Sequence, residues 1–374
     1  MDLFYLLVLI PLGMAVLTKY YFKHTVDWTE AGIQAGVGVV AVAVVFFAGA
    51  YSQMADTEII NGQITNKVRQ HDTYLESYSC NCRSVRSGNT TTTHCDTCYR
   101  RHYTVDWYLK TTIGRIDISS RDWTSSAVYL LPDPSLYTEA QIGDPCAKES
   151  TYTNYVKGAP ESIFHNVGIV DQRLKASVPA YPEVYDRYKV SHVMPVGFKH
   201  NQWTDRLNTR LSEHLKTLGA KKQVNINVIV TKNSQSFKYA LEREWLGGKK
   251  NDVTVVIGTT GLPNVQWVDV FTYANTAGNN LVATNLRNQI LDMKTVENPE
   301  QLADVIATEV SNTYVRKSMK DFEYLKDEID PPTWVIVMTI LFSVAVSGGL
   351  AYYFHHNDGP RYGYNSRSNY RRNF

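Results

Sequence analysis

Residues 31 to 50, AGIQAGVGVVAVAVVFFAGA, constrain this chain more than any other stretch, because no charge falls between Glu30 and Asp56. A helix of about 20 apolar residues satisfies its backbone hydrogen bonds internally, as the hydrocarbon core of a bilayer demands. The reading is a transmembrane helix over residues 31–51. A second span is expected over 333–354, where TWVIVMTILFSVAVSGGLAYYF follows Pro331 and Pro332 and ends in aromatics suited to an interface. A shorter apolar run within residues 1–18 is interrupted by Pro11. It lacks the basic flank and the small-x-small site of a cleaved signal peptide, which favours an uncleaved helix or signal anchor.

Three crossings put residues 51–332 on one side of a bilayer and the first short loop with the C-terminal tail on the other. Lys19 and Lys23 then share a compartment with Arg361, Arg367, Arg371 and Arg372. The positive-inside rule makes that compartment the cytoplasm, so the body faces the periplasm or exterior from a bacterial inner membrane. Once Asp2, Asp27, Glu30 and Asp358 are set aside with those six basic residues, the body is electrically balanced. No basic stripe of the kind that binds nucleic acid is found, and the expected partners are the lipid bilayer and another membrane or periplasmic protein. Residues 355–374 mix Gly, Ser, Asn, Tyr and Arg without an apolar period and read as a disordered basic tail.

Residues 52–75 form a polar stalk that either prolongs the second helix or leads away as a strand. Beyond it, within an expected β domain over 76–150, Cys80-Asn81-Cys82 and Cys95-Asp96-Thr97-Cys98 flank a Gly-Asn turn. Two close pairs of this kind can bring Cys80, Cys82, Cys95 and Cys98 to one point as a structural zinc site. In an oxidising compartment the same residues can instead form two disulfides across the hairpin. The zinc reading is preferred on ligand spacing, with His94 and His102 as spare ligands. Cys146 is expected to be a buried thiol. Alternation then places Tyr103, Val105, Trp107 and Leu109 on one strand face and Ile116 and Ile118 on the return strand, with SSAVYLLPDP as a further strand ended by Pro132. Asp106 and Asp122 read as exposed strand-edge acids rather than a catalytic pair. Residues 151–194 read as a packed linker.

From about residue 195 the period becomes that of an α/β unit. Trp203, Leu207, Leu211, Leu215 and Leu218 mark one helix face closed by Gly219, and QVNINVIV alternates. A helix capped by Ser234 carries Phe237, Leu241 and Trp245 and stops at Gly247-Gly248. DVTVVIG reads as a buried central strand and NVQWVDVFTY as a longer one. Two helices follow, the second begun by Asn298 and Pro299. The order INVIVTKNS, a helix ending in EWLGGKKND, VTVVIGTTG, VQWVDVFTY and a closing helix before a membrane span resembles the TPM-domain family over about residues 195–325. That resemblance implies an α/β/α sandwich over 195–328, roles in membrane-complex assembly, weak acid phosphatase activity and binding of a divalent cation such as Mg or Ca. Asp252, Asp269 and Asp292, at strand or helix ends, are the residues on which such a site would fall. The earlier half, with CNC, CDTCY and YTVDWYLKTT, is similar to membrane proteins encoded by large tailed bacteriophages.

The fold class expected is therefore α+β and membrane-anchored: three transmembrane helices, a small cysteine-stapled β domain and a TPM-like α/β/α sandwich. No phosphate-cradling loop, nucleophile elbow or His-Glu-x-x-His helix occurs, and no catalytic residue is assigned. A noncatalytic envelope protein acting as an interaction or assembly factor is the first reading, and a weak divalent-metal-dependent phosphatase the second. A transporter is disfavoured because the spans carry no charge within them.

Overall fold

The computed structural model describes residues 2–87, 90–159, 171–273 and 277–357. Of the expected linker, residues 160–170 lie outside these, as do residues 358–374 of the expected tail. The chain is α+β and divides into two compact units. One is built from Met1–Asp56, Thr153–Ser162 and Met319–Phe374, the other from Thr57–Tyr152 and Ile163–Ser318.

The first unit holds three helices long and apolar enough to cross a membrane, α1 (Asp2–Tyr21), α2 (Trp28–Met54) and α7 (Thr333–Asn357). α1 runs through Pro11 instead of stopping there, and is one turn longer than the apolar run suggested. Gly38 of α2 faces the Pro11 ring, and a side chain at that position would clash with it. The glycine thus lets two backbones approach closely, the usual device where lipid offers no hydrophobic drive for helix association. Asp27 and Glu30 close a capping box at the start of α2. Gln34 is fully buried, and its Nε2 donates to Thr18 Oγ1 (3.1 Å) and to the Ser347 carbonyl (3.0 Å), linking all three helices. Where α2 ends, the Asn154 backbone N–H donates to the Met54 carbonyl (2.7 Å) and Lys157 Nζ to that of Ala55 (2.7 Å). Met54, Ala159 and Ile329 pack beneath them.

The second unit contains two sheets. The first has the order β3-β2-β1-β4, with β1 (Ala55–Ser87), β2 (Thr90–Thr111), β3 (Gly114–Trp123) and β4 (Pro145–Thr153). β1 leaves α2 directly, which decides the open question of residues 52–75: from residue 55 they are strand, with Ile59 and Ile64 buried. Val105, Trp107, Leu109, Ile116 and Ile118 fill the core as the alternation predicts, together with Cys146. The stretch expected as a third strand forms instead a turn of 3-10 helix, Ser126–Leu130. The Ser125 hydroxyl caps it by accepting from Ala127 N, and Arg69 Nη2 donates to the Tyr129 and Leu131 carbonyls (2.7 and 3.0 Å). Those carbonyls meet a guanidinium instead of a neighbouring strand, and Val128 plugs the core.

The second sheet runs β5 (Val193–Val196), β6 (Asn225–Thr231), β7 (Asp252–Gly258) and β8 (Trp267–Thr272) in sequential order, with β8 alone antiparallel. Helices cover both faces. Leu207, Leu211 and Leu215 of α3 (Gln202–Lys222) pack with α5 (Ala277–Met293) and α6 (Pro299–Thr313) against Ile226, Val228, Val255 and Ile257. Phe237 and Leu241 of α4 (Phe237–Glu244), with Trp245, pack against Ile229, Val256 and Phe271 on the other face. Each such side chain contributes about 1.5–3 kcal/mol on burial. Because α3 and α4 cross opposite faces while the chain steps in one direction across the sheet, the two crossovers have opposite hands, and one is of the rare left-handed kind. The expected Ser234 side-chain cap is replaced by a backbone bond from Phe237 N to the Ser234 carbonyl (2.9 Å). β8 is shorter than expected because Val265 N bonds the Lys294 carbonyl (3.0 Å) rather than continuing the ladder.

Candidate functional site

The first sheet is not uniform along its length. β1 and β2 pair without interruption from Asn66 opposite Lys110 to Cys80 opposite Asp96, and again from Arg83 to Ser87. β3 accompanies β2 only as far as Tyr103 opposite Trp123. Residues 74–87 and 90–102 therefore form a two-stranded ribbon, roughly 45 Å long at the ordinary rise per strand residue. Its sequence is rich in Thr, Ser, Tyr and Arg, which suit an extended backbone but offer no apolar face to bury. Both faces are accordingly open: Leu75 is 60% exposed, Tyr99 68% and Val85 57%. Arg100 lies over the ring of Tyr78, 4.9 Å from its centroid.

A ribbon without a third strand is marginal in water, and cross-links take the place of a core here. Cys80 is joined to Cys98 and Cys82 to Cys95. A register shift between Cys80 and Arg83 makes a bulge, and Asn81 there has φ of 47°, a backbone region that asparagine tolerates better than most residues. At the base of the ribbon, His102 lies between two carboxylates. Its Nδ1 is 2.7 Å from Asp122 Oδ1 and its Nε2 2.9 Å from Glu76 Oε2, while the Tyr74 ring stacks on it and donates its hydroxyl to Asp122 Oδ2 (2.6 Å). Carboxylates only accept, so both ring nitrogens carry hydrogen and the imidazolium is the form that fits. The hydrogen bond to Asp122 above all, and that to Glu76, hold the His102 pKa above its usual value, although some desolvation opposes them. The Tyr74 hydroxyl and His102 hold the Asp122 carboxyl below its usual value. The clamp ties the ribbon to the end of β3.

The residues proposed from sequence fall as follows. The four cysteines are in the disulfide state, the second of the two alternatives. A sulfur bonded to sulfur has no thiolate to give, so the preferred zinc reading is not the one this structure carries. His94 sits on the ribbon opposite Arg83, and His102 is committed to the clamp. Asp252 begins β7 and is fully buried; it accepts from Tyr181 Oη (2.9 Å to Oδ2), Asn225 Nδ2 (2.9 Å) and Lys249 N (2.7 Å). Burial pushes its pKa up to about 6 against those three bonds. Asp269 lies on β8 opposite Val256, four residues along the sheet from Asp252 and 3.8 Å from Lys238 Nζ. Asp292 is on α5. The three acids are thus on different elements, and among the described residues no group of three or more His, Cys, Asp or Glu side chains is placed to hold a metal ion. Hard cations need clustered oxygens.

Asp122, read from sequence as a bland edge acid, is what the sequence reasoning missed. Its partners come from β1 and β2, and no local signal specifies that register. Cys146 is buried as expected, which pushes its thiol up to about 12. Compared with known proteins, the chain matches no family model, no curated protein and no solved structure.

Proposed function

We propose that this chain is a membrane-anchored binding protein whose ribbon engages an acidic surface on another membrane or periplasmic protein. The carrying observation is that residues 74–87 and 90–102 project as a cross-linked pair of strands exposed on both faces. Holding such a segment rigid lowers the ordering cost that a partner would otherwise meet on binding. The charge supports the choice of partner: between residues 77 and 101 stand Arg83, Arg86, Arg100 and Arg101 against the single acid Asp96. Exposed Tyr and Arg side chains are also of the types that anchor interfaces.

The three apolar helices are the anchor in this reading, and the two disulfides support a body that faces an oxidising compartment, as the periplasm of a bacterium is. An interaction or assembly role in the envelope follows. The phosphatase alternative has no observation in its favour, since the acids it would use stand apart.

Photo-crosslinking in cells tests the reading, with a benzophenone side chain placed at Leu75 or Tyr99 and, as control, at the also exposed Tyr239 of the α/β half. One discrete adduct from the ribbon positions, lost on R100E/R101E and absent from Tyr239, is expected. Adducts of equal yield from all three positions would remove the ribbon from consideration. A reporter inserted near residue 200 that is active only in the cytosol would overturn the topology.

A further inference from the structure

The two outer edges of the ribbon are not alike in what they offer a neighbour. β4 accompanies β1 only near its start, where Ile64 N donates to the Asp144 carbonyl and Gly143 N to that of Ile64 (3.0 and 2.8 Å). β3 leaves β2 once Trp123 has met Tyr103. Among the described residues no hydrogen bond reaches the backbone of Thr91–Tyr99 from outside the ribbon. In an antiparallel pair every second residue turns its N–H and C=O away from the partner strand. Thr91–Tyr99, about 30 Å of strand at the ordinary rise, therefore presents a row of unpaired donors and acceptors to water.

Proteins blunt such edges with bulges, prolines or charges, lysine above all. β1 is blunted in this way: the register shift between Cys80 and Arg83 breaks its edge, and Arg83 and Arg86 stand exposed beyond the break. β2 is not. Two residues of β1 there oppose the single Cys95, so the extra residue belongs to β1 and β2 runs on without a bulge. TTTHCDTCY holds no proline and no lysine, its one charge is Asp96, and Thr91 to Thr97 are all exposed. Threonine is branched at Cβ and favours the extended backbone. Cys95 and Cys98 pin this strand to Cys82 and Cys80 of β1, so its shape is set before any neighbour arrives. The arginines flank it. Arg86 stands opposite Thr91 and Arg83 opposite His94, towards the tip, while Arg100 and Arg101 follow Tyr99 towards the base. A strand laid along this edge meets positive charge near both of its ends and one acid near its middle.

We propose that the outer edge of β2, Thr91–Tyr99, takes up an extended segment of the partner protein as an added strand, and that this segment carries its carboxylates towards its two ends. This rests on the reading of the ribbon as the part of the chain that meets a partner, and adds how it does so. Main-chain hydrogen bonds supply the affinity in such strand addition, and the flanking arginines choose the partner. A second copy of this chain is disfavoured as the occupant, because two ribbons side by side would set arginines against arginines.

The full-length protein in detergent micelles is titrated with the peptide acetyl-Glu-Val-Glu-Val-Thr-Val-Glu-Val-Glu-amide, and hydrogen exchange is read at single amides. Saturable binding is expected, with exchange slowed about tenfold or more at every second amide from Thr91 to Tyr99 and unchanged from Arg83 to Arg86. The same peptide with Gln in place of Glu is expected to bind about tenfold more weakly, as is the acidic peptide to R83E/R86E with an unchanged circular dichroism spectrum. Binding without the alternating protection would overturn strand addition and leave the ribbon a surface met through its side chains. Protection along β1 instead would overturn the choice of edge. Undiminished binding of the Gln peptide, or by folded R83E/R86E, would overturn the acidic character of the segment. Alternating protection that arises without peptide and grows with protein concentration would make a second copy the occupant and overturn the proposal. So would absence of peptide binding where the ribbon still crosslinks to a partner in cells; loss of the crosslinks themselves is the separate failure of the ribbon reading.

Discussion

The ribbon and the parallel sheet of the same unit are held together by opposite means. In the sheet, every residue of β6 and β7 is buried, and Leu207, Leu211, Leu215, Phe237 and Leu241 seal its two faces. In the ribbon almost nothing is buried, and two disulfides with one imidazolium between carboxylates do the holding. Burial is non-directional and spread over many side chains, so it makes a broad cooperative block. Cross-links are local and chemical, so each can be removed without disturbing the rest. A segment meant to stay exposed can be made rigid only in the second way.

Four experiments sharpen or break this contrast. The largest effect is expected for Leu211→Ala, which removes a fully buried side chain and costs about 2–5 kcal/mol. Hydrogen exchange should quicken throughout β5–β8 and leave the ribbon amides unchanged; equal quickening of both would show them to be one cooperative block.

Removing both disulfides by changing the four cysteines to serine should have the converse effect. They close loops of 18 and 13 residues, each worth about 3 kcal/mol in chain entropy, all of it local to the ribbon. Amides of residues 74–87 and 90–102 should lose protection while the sheet keeps its own. The contrast fails if the sheet melts with them.

Asp252 gives the sheet a pH dependence. Its carboxyl titrates near 6 when folded, about two units above its ordinary value, so the folded state binds the proton more tightly. Stability should fall as pH rises from about 4 to about 6, by roughly 3 kcal/mol at most, and then level off. In Asp252→Asn that slope should vanish from denaturant melts, and its persistence would assign it to another group.

The smallest effect belongs to His102, whose exposed clamp is screened by water. Its folded pKa is raised, so the clamp is complete below the ordinary histidine value and is lost as pH rises through the raised one. Protection at the base of the ribbon should decline over that window in the wild type and show no such window in His102→Gln. Protonation of Asp122, whose folded pKa is lowered, releases the other side only below the ordinary carboxylate range.

How much of this was readable in advance follows from the same contrast. The apolar faces of β2, β3, α3 and β6 were visible as periods of two and of about 3.6, because burial imposes itself on every side chain of a face. The ribbon was visible only as four cysteines around a turn, and spacing alone could not separate zinc from disulfides. Residues 126–130 were misread as strand because Val128, Tyr129 and Leu130 have strand propensity, and only the position of Arg69, far away in sequence, turns their carbonyls elsewhere. The His102 clamp left no local trace.

The sequence alone determined three helices long and apolar enough for a bilayer, an α+β body, and the burial of the residues that alternate, since these depend on how hydrophobicity is spaced along the chain. Tertiary structure decided which sulfur meets which, that Asp122 meets His102, and that the backbone N–H of the buried His192 meets the Asn208 side chain. Those are pairings between residues 13 to 20 positions apart, fixed by register and crossover, and no periodicity in a single strand or helix encodes them.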